Sequence, residues 1–335
     1  MTEPYIDKNE WKTIFKNWQI TDCAIRNPGF ICALARKKLS PKEAQDLDDS
    51  EVPRRYLKIM LGRAPGQRSG HADLIGYPDP AIGTCALPIA QDIIASINGH
   101  FYANGAGEDG MEFPTRSNGN GITPTRIVTI GGYAFATGLT RGVYKRRGVN
   151  DWIQFDPAGF PEPQTYFPDG ALGSSEYTSA LGFNDLDGPN ESLLYAVGGK
   201  GDVWRYDGHR WTQCDFPSNE QLNTVTVAPG GTVYISGEGG NLWIGAQDTW
   251  RLAARGESSV LFNDSAWFQD QLWLCSDYQL LVWNGEALMR PRHRGEVVAY
   301  TGHMDARDGL LLIAAGAYAH CFDGTEWRCL VAPYK

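Results

Sequence analysis

Short apolar runs bounded by turn residues recur along most of the chain. Leu194–Val197 is one such run; it ends at Gly198-Gly199 and is followed by a second β-prone run, Val203–Tyr206. Asp207-Gly208 then gives a two-residue hairpin signal before Trp211. This pattern predicts short β-strands joined by tight turns, and the signal for helices is nearly absent.

The same turn-plus-strand unit occurs seven times, and the last four units lie about 40 residues apart, the usual length of a four-stranded propeller blade. A single blade cannot bury both of its faces, whereas a ring of stacked blades does. We therefore predict an all-β fold, a seven-bladed β-propeller with six blades as the alternative count, forming a single domain over residues 1–335. The turns that open the units are Asn27-Pro28-Gly29, Asn98-Gly99, Gly131-Gly132, Asp185–Ser192, Pro229-Gly230-Gly231, Gln269-Asp270 and Asp308-Gly309.

Tryptophans occupy one recurring position, at the start of the last strand of a unit. Because repeat spacing distributes them around the ring, we interpret them as blade-packing anchors rather than as a ligand cage. Tyr5–Trp11 echoes the same hairpin, but the sequence does not assign how the ring closes. The tryptophans at the recurring position are Trp152, Trp211, Trp250 and Trp327.

Two long insertions interrupt the repeat, Arg36–Arg55 and Pro157–Glu176. The first contains the one clear helix signal, in which Ser40 is the cap, Pro41 the first helical residue and Glu43 the partner in a capping box, so we expect a short helix through about Leu47. A third stretch, Leu61–Ile89, has no clear place in the repeat.

Both insertions are expected on one face of the disc, because the connections between second and third strands and those between blades emerge on the same side. Insertions are where repeat proteins most often carry function. We predict a protein-binding face there, against the alternative that the insertions are tolerated drift and the turns are simply solvated. The candidate partner-binding residues are Arg141, Lys200, Glu238, Asp277, Tyr278, Tyr318, Tyr166 and Phe167.

No catalytic or metal-binding motif stands out. Asp185–Glu191 faintly resembles a calcium loop, but Pro189 interrupts it and we interpret it as a turn. His303 with Asp305 is the nearest histidine–carboxylate pair, and we assign it to a loop hydrogen bond. No cofactor is expected, although a propeller can assemble catalytic carboxylates from distant blades.

Two basic clusters are assigned to solvated outer edges, with docking to an acidic partner as the alternative. The first cluster is Arg141, Lys145, Arg146 and Arg147, and the second is Arg290, Arg292, His293 and Arg294.

The net charge of −9 argues against general affinity for nucleic acid or anionic membranes. No apolar run approaches the roughly 20 residues that span a bilayer. The first residues lack the basic start and apolar core of a signal peptide, and seven scattered cysteines without CxxC pairs indicate reduced thiols. We therefore expect a cytoplasmic protein.

The units resemble the bacterial WD40-, BNR- and kelch-like β-propellers from about Tyr5 to Val331. The Trp-Asp ending of WD40 repeats is missing, and Phe322–Trp327 does not fit the sialidase Asp-box. Compact propellers of this kind often serve as immunity proteins of polymorphic toxin systems. The resemblance thus implies a non-enzymatic module that binds and neutralises a toxin. The alternatives are a glycoside hydrolase or lyase acting at the central channel and a constitutive scaffold subunit.

Overall fold

The fold is built from seven four-stranded antiparallel sheets, as the sequence predicted. The computed structural model describes residues 3–107, 109–114, 122–155, 158–160, 182–256 and 260–334. The first strands of successive sheets pack side by side, and the first strand of sheet 1 packs against that of sheet 7. The sheets therefore form a closed ring of blades around an axis lined by their first strands.

The strands of blades 1–4 follow the chain from the axis outward. Blade 1 contains β1 (Trp18–Asn27), β2 (Phe30–Lys37), β3 (Arg54–Met60) and β4 (Ser69–Leu74). Blade 2 contains β5 (Pro80–Cys85), β6 (Gln91–Ser96), β7 (Phe101–Gly105) and β8 (Gly110–Glu112). Blade 3 contains β9 (Pro124–Ile130), β10 (Tyr133–Gly138), β11 (Gly142–Gly148) and β12 (Asp151–Gln154). Blade 4 contains β13 (Phe183–Asn190), β14 (Leu193–Gly198), β15 (Asp202–Tyr206) and β16 (Trp211–Gln213).

Blades 5–7 have the same order, with a small extra hairpin between blades 6 and 7. Blade 5 contains β17 (Leu222–Val227), β18 (Val233–Gly237), β19 (Leu242–Ala246) and β20 (Thr249–Ala254). Blade 6 contains β21 (Asp264–Phe268), β22 (Gln271–Cys275), β23 (Leu280–Trp283) and β24 (Leu288–Met289). The hairpin is β25 (Arg292–His293) and β26 (Glu296–Val297). Blade 7 contains β27 (His303–Arg307), β28 (Leu310–Ala315), β29 (Tyr318–Phe322) and β30 (Trp327–Val331).

Two predicted features of the repeat need correction in blades 1 and 2. The Asn98-Gly99 turn lies between the second and third strands of blade 2, whereas the other six lie where the first strand of a blade passes into the second. Leu61–Ile89, which had no place in the repeat, contains the last strand of blade 1 and the first strand of blade 2. The long loops on both sides of β4 conceal the repeat there.

Helices are few and short. The predicted helix is α2 (Pro41–Asp46), and both hydrogen bonds of its Ser40–Glu43 capping box are present. The hairpin expected over Tyr5–Trp11 is wrong: Asp7 caps α1 (Lys8–Glu10), which continues into a π-helical turn, Trp11–Phe15. Single 3₁₀ turns occupy Asp49–Glu51, Leu139–Arg141 and Glu238–Gly240.

Aromatic residues fill the spaces between blades, as predicted for the recurring tryptophans. Trp211 is 1% exposed and lies in a cluster that also contains Phe135 of blade 3. Trp152 packs on Phe101 of the preceding blade with 4.8 Å between ring centroids. Trp250 likewise contacts blade 4, and Trp327 contacts blade 6. In blades 3, 4, 5 and 7 the last strand thus anchors its blade to the one before it.

The N-terminal segment reinforces the closure of the ring. Blade 7 is complete from one continuous stretch of chain, and the amides of Tyr5 and Ile6 donate to the carbonyls of Cys329 and Leu330 on its outer strand, each at 2.9 Å. Glu10, further along this segment, accepts hydrogen bonds from the amide and the hydroxyl of Ser69, the first residue of β4 in blade 1. Residues 5–15, which we call the N-terminal strap, therefore join the outer strands of the last and first blades.

Candidate functional site

The chain topology assigns two loop sets to one face of the ring, here called the insertion face. Turns between second and third strands and connections between blades lie on this face; the other turns lie on the opposite face. The first insertion joins β2 to β3 on the insertion face, but its boundaries shrink to residues 38–53 because the strands extend to Lys37 and from Arg54. The second joins β12 to β13, and most of it lies outside the described residues, as do Tyr166 and Phe167.

Five of the candidate partner-binding residues are exposed in turns of the insertion face. Tyr278 is 77% exposed and Tyr318 is 52% exposed, which is unusual for side chains of this size. Lys200, Glu238 and Asp277 are also exposed. The Asp277 carboxylate accepts a 2.7 Å hydrogen bond from the Asn263 amide, and this bond fixes the turn that presents Tyr278.

Arg141 does not belong to this exposed set. It is 7% exposed, and its guanidinium forms a two-point ion pair with Asp202 of blade 4 at 2.6 and 2.8 Å. The guanidinium carbon also lies 4.9 Å from the Trp204 ring centroid. The sequence placed Arg141 in a turn and predicted a surface contact. Its ion pair instead links this turn of blade 3 to blade 4.

Tyr318 is the outer member of an aromatic stack on blade 7. Its ring is nearly parallel to that of His320 at 6.3 Å, and His320 lies 3.7 Å from the Tyr300 ring. Burial lowers the pKa of His320 to about 4, so the imidazole is neutral at neutral pH. The stack is therefore an uncharged, rigid support for the exposed face of Tyr318.

The first insertion is tethered to the rim of the central channel by one carboxylate. Asp49 accepts two 2.6 Å hydrogen bonds from Arg54, lies 3.4 Å from Arg36, and accepts from the Asp79 amide at 3.1 Å. These groups line a polar cavity of about 300 Å³, and Arg126 and His303 line it from the channel side. The insertion therefore shapes the mouth of the channel.

Charged side chains cross the channel itself, a cavity of about 340 Å³. Arg126 of blade 3 forms ion pairs with Asp185 of blade 4, at 3.3 Å, and with Asp264 of blade 6. His303 of blade 7 contacts Asp264 at 3.0 Å and Asp22 of blade 1 at 3.7 Å. Carboxylates do converge in the channel, as expected for an enzyme site on the axis. However, Asp22, Asp185 and Asp264 are each paired with Arg126 or His303.

The channel aspartates also link neighbouring first strands. Their carboxylates accept hydrogen bonds from backbone amides of the next blade, which have no strand partner on the channel side. Asp185 and Asp187 lie within β13, so their assignment to a turn is wrong. Five such bonds are present: Asp22 to Ile82, Asp185 to Val225, Asp187 to Val227, Asp264 to Met304 and Asp305 to Ile25, at 2.7–3.0 Å.

The environment of these groups sets their protonation. Burial raises the pKa of Asp187 to about 6. Burial opposes ionisation of Asp264 as well, but Arg126 and His303 outweigh it and hold the pKa of Asp264 well below its usual range. Burial also disfavours the charged form of His303, yet its hydrogen bond with Asp264 raises its pKa to about 9. The Arg126–Asp264–His303 cluster is therefore ionised at neutral pH.

Sequence reasoning paired His303 with the wrong carboxylate. Asp305 binds the amide of Ile25, while the partner of His303 is Asp264 on another blade. The recurrence of aspartates in first strands was the signal that could have revealed this set of carboxylates. Within the described part of the chain, no group of three or more histidine, cysteine or acidic residues is arranged to hold a metal ion.

The first basic cluster is a solvated edge only at Arg147, which is 53% exposed, and its other members are engaged inside the protein. Arg146 is fully buried, with its guanidinium on Glu112 at 2.6 Å and on Gln91 at 2.7 Å. Lys145 pairs with Glu191 at 2.6 Å. In the second cluster Arg292 and Arg294 are exposed, as expected, and Arg294 pairs with Glu326.

The ring of seven four-stranded sheets around a polar channel defines this chain as a seven-bladed β-propeller. No family model matches it. In sequence it is similar to the immune protein Tsi7 of Pseudomonas aeruginosa strain PAO1, with 29% identity over 243 residues that cover 72% of this chain and 76% of that protein.

Solved structures support the same fold. The WD40 β-propeller domain of Doa1 matches with a TM-score of 0.56 and 10% identity, covering 89% of this chain and 90% of that one. YCF48 from Cyanidioschyzon merolae matches with a TM-score of 0.60 and 10% identity, covering 90% and 94%. A YCF48 structure bound to a D1 peptide matches with a TM-score of 0.55 and 14% identity, covering 94% and 95%. The chain thus resembles the immune protein Tsi7 in sequence, and the WD40 β-propeller domain of Doa1 and YCF48 in fold.

No helix among the described residues is long and apolar enough to cross a membrane.

Proposed function

We propose that this chain is a non-enzymatic immunity protein that binds a protein toxin through its insertion face and neutralises it. The similarity to the immune protein Tsi7 across 72% of the chain carries the proposal. The exposed Tyr278 and Tyr318 support it, because large tyrosines in a rigid turn are typical anchors of protein interfaces. The mechanism is occlusion: the bound propeller covers the catalytic cleft or substrate site of the toxin.

The carboxylates that converge on Arg126 and His303 in the channel support a structural rather than a catalytic role for that cluster. Asp22, Asp185 and Asp264 each accept a backbone amide of the next blade, and Arg126 and His303 neutralise charge among them. A general acid or base needs a proton that it can exchange with substrate near the working pH. These groups are instead committed to holding blades together.

We further propose that the protein acts in the cytoplasm. An immunity protein must bind the toxin in the compartment that holds the toxin's target. The reduced cysteines expected from the sequence favour the cytoplasm as that compartment. Fractionation of host cells tests this directly: the chain should appear in the soluble cytosolic fraction, and recovery in the periplasm would contradict it.

Co-purification from the native host tests the main proposal. The tagged chain should retain a protein that arrests growth when expressed alone, and co-expression with this chain should restore growth. Protection should require roughly equimolar chain, because occlusion is stoichiometric. An enzyme would protect at far lower amounts, and a retained protein without toxicity would favour a constitutive scaffold.

The double variant Tyr278→Ala, Tyr318→Ala tests whether the insertion face is involved. We expect it to weaken binding of the purified toxin at least about tenfold, since interface tyrosines often contribute more than 1 kcal/mol each. Met289→Ala is the control, because this side chain is 54% exposed on the outer edge of blade 6. Equal toxin binding by the unaltered chain, the double variant and Met289→Ala would mean that these two tyrosines do not contact the toxin.

A further inference from the structure

A second exposed apolar surface, which sequence analysis missed, lies on the insertion face at blade 2. Ile75 is 87% exposed in the connection from blade 1, and Ile97 is 37% exposed in the turn between β6 and β7. Phe113, directly after β8, is 54% exposed. We call these three residues the blade-2 patch. Large apolar side chains grouped in this way are typical of interaction surfaces.

Contacts among the loops hold the patch in one arrangement. The Asn98 amide donates to the carbonyl of Gly76 at 2.9 Å, which joins the turn of Ile97 to the loop of Ile75. The His100 ring makes edge-to-face contacts with Tyr77 and Phe113, each with centroids 6.1 Å apart. Because the loops are already ordered, binding at the patch costs little conformational entropy.

The loop that carries Ile75 runs directly from the patch to the mouth of the channel, where Asp79 lines the 300 Å³ cavity. The backbone of Asp79 has a φ of 38° and its amide is bound to Asp49. Left-handed backbone is costly for a residue other than glycine, and here neighbouring contacts hold it.

The Asp79 carboxylate is the unpaired charge at this mouth. Arg36 and Arg54 are paired with Asp49, while Arg126 and His303 are paired with channel aspartates. Among the described residues, no ion pair or hydrogen bond engages the exposed Asp79 side chain. An incoming cation therefore finds a carboxylate that no internal partner competes for.

We propose that the blade-2 patch and Asp79 together form a second part of the docking surface for the toxin, in addition to Tyr278 and Tyr318, and that the toxin presents there an apolar side chain beside a lysine or arginine. This inference rests on the proposed function and specifies the chemistry of the partner. The apolar side chain packs on Ile75, Ile97 and Phe113, and the basic side chain pairs with Asp79. Charge complementarity with the unpaired carboxylate is what selects a basic rather than an acidic partner.

The test measures binding of the purified toxin, identified by co-purification with the unaltered chain, by calorimetry at two salt concentrations. Ile97→Asp should weaken binding at least about 30-fold, because it places a carboxylate in an apolar contact. Leu87→Asp is the matched control: Leu87 is 43% exposed on the opposite face of the same blade, where its amide binds the carbonyl of Gly132. It should bind like the unaltered chain.

Asp79→Lys should weaken binding by a similar factor through like-charge repulsion, and Asp79→Asn should bind with a smaller dependence on salt than the unaltered chain. Glu286→Lys, an exposed charge reversal on the opposite face of blade 6, is the control. Thermal unfolding of each variant confirms that it folds.

The outcomes separate this inference from the proposed function. If the unaltered chain retains no toxin, both the proposed function and this docking surface are contradicted. If it retains a toxin that Ile97→Asp and Asp79→Lys bind normally, the docking surface assigned here is wrong while the immunity function stands. Tighter binding by Asp79→Lys would show that the partner is acidic at this site and would overturn the assigned chemistry.

Discussion

At the scale of single residues, the same side-chain type has different roles that depend on its neighbours. Aspartates in hairpin turns, such as Asp207 and Asp323, accept hydrogen bonds from their own turn, and these lower their pKa values: Asp207 accepts backbone amides, and Asp323 accepts the Thr325 hydroxyl as well as amides. Aspartates in first strands accept amides of the next blade instead, and burial raises the pKa of Asp187. The position within the repeat, more than the residue type, decides the role.

The buried Arg141–Asp202 pair leads to a test at this scale. Asp202→Ala should lower the free energy of unfolding by about 3–5 kcal/mol, because it removes the carboxylate that contacts the buried Arg141 guanidinium at two points. Chemical denaturation measures the change. Combining Arg141→Met with Asp202→Asn should recover most of the loss, since no uncompensated charge remains.

The exposed pair of Arg147 and Asp151 is the control for this test. Both side chains are about half exposed, at 53% and 48%, although the atoms are only 2.9 Å apart. Asp151→Ala should therefore cost less than about 1 kcal/mol. Comparable losses in the two single variants would mean that burial does not set the strength of these pairs.

At the scale of elements, the N-terminal strap reinforces the ring closure that Ile20 of blade 1 and Gly316 of blade 7 also make directly, through mutual backbone hydrogen bonds of 2.7 and 2.9 Å. Ile6 is fully buried between blades, and the Glu10 carboxylate accepts from the amides of Arg68 and Ser69 and from the Ser69 hydroxyl at 2.8–3.0 Å. The strap covers the outer edge of blade 7, which would otherwise present an unpaired strand. Blades 1 and 7 are thereby held at the ring's junction without sharing a sheet.

Glu10→Ala tests the strap. It should destabilise the protein by about 2–4 kcal/mol, because three donors lose a nearly buried acceptor. Differential scanning calorimetry gives the change. Glu43→Ala removes a glutamate that also accepts a backbone amide, but in the exposed capping box of α2, and it should cost about 1 kcal/mol or less. An unfolding temperature in Glu10→Ala equal to that of the unaltered chain would show that this contact of the strap adds no stability.

At the scale of the whole molecule, the channel cluster joins blades that are far apart in the chain. Arg126, Asp185, Asp264, His303 and Asp22 come from five of the seven blades and meet at the axis. A ring otherwise held by contacts between neighbours gains cross-links through its centre. The protonation state of the cluster therefore bears on the stability of the entire ring.

His303 makes this dependence measurable. The pKa of His303 rises from 6.5 to about 9 on folding. Its contribution to the free energy of unfolding is therefore complete below pH 6.5 and is lost as the pH rises through 9. Because the side chain is 29% exposed, water screens part of the interaction, and we expect a loss of about 2 kcal/mol between pH 6.5 and 9.5.

Urea unfolding at several pH values checks the prediction. His303→Gln should flatten the profile over this range, while His209→Gln, an exposed residue on blade 4, should leave it unchanged. A profile that stays steep in His303→Gln would assign the dependence to another group.

The repeat itself was predictable because it is local. Glycine and aspartate at turns, apolar runs of strand length and a tryptophan at one position are dictated by short-range backbone and packing preferences, as at Leu194–Trp211. The capping box of α2 was predictable for the same reason, since its partners are three residues apart. Exposure of Tyr278 and Tyr318 followed from their place in short turns.

Only the tertiary structure decided which charges face solvent and which are internal. Arg141 and Asp202 are 61 residues apart, and Arg146 meets Glu112 across 34 residues, so no local pattern distinguishes them from surface charges. The meeting of Ile75, Ile97 and Asp79 at one rim likewise depends on how blades 1 and 2 stack. The sequence by itself indicated a repeat of four-stranded blades and favoured seven blades over six. The channel cluster, the ring closure and the candidate docking surface required the stacked ring, because electrostatic and apolar contacts between blades join residues that are distant in the chain.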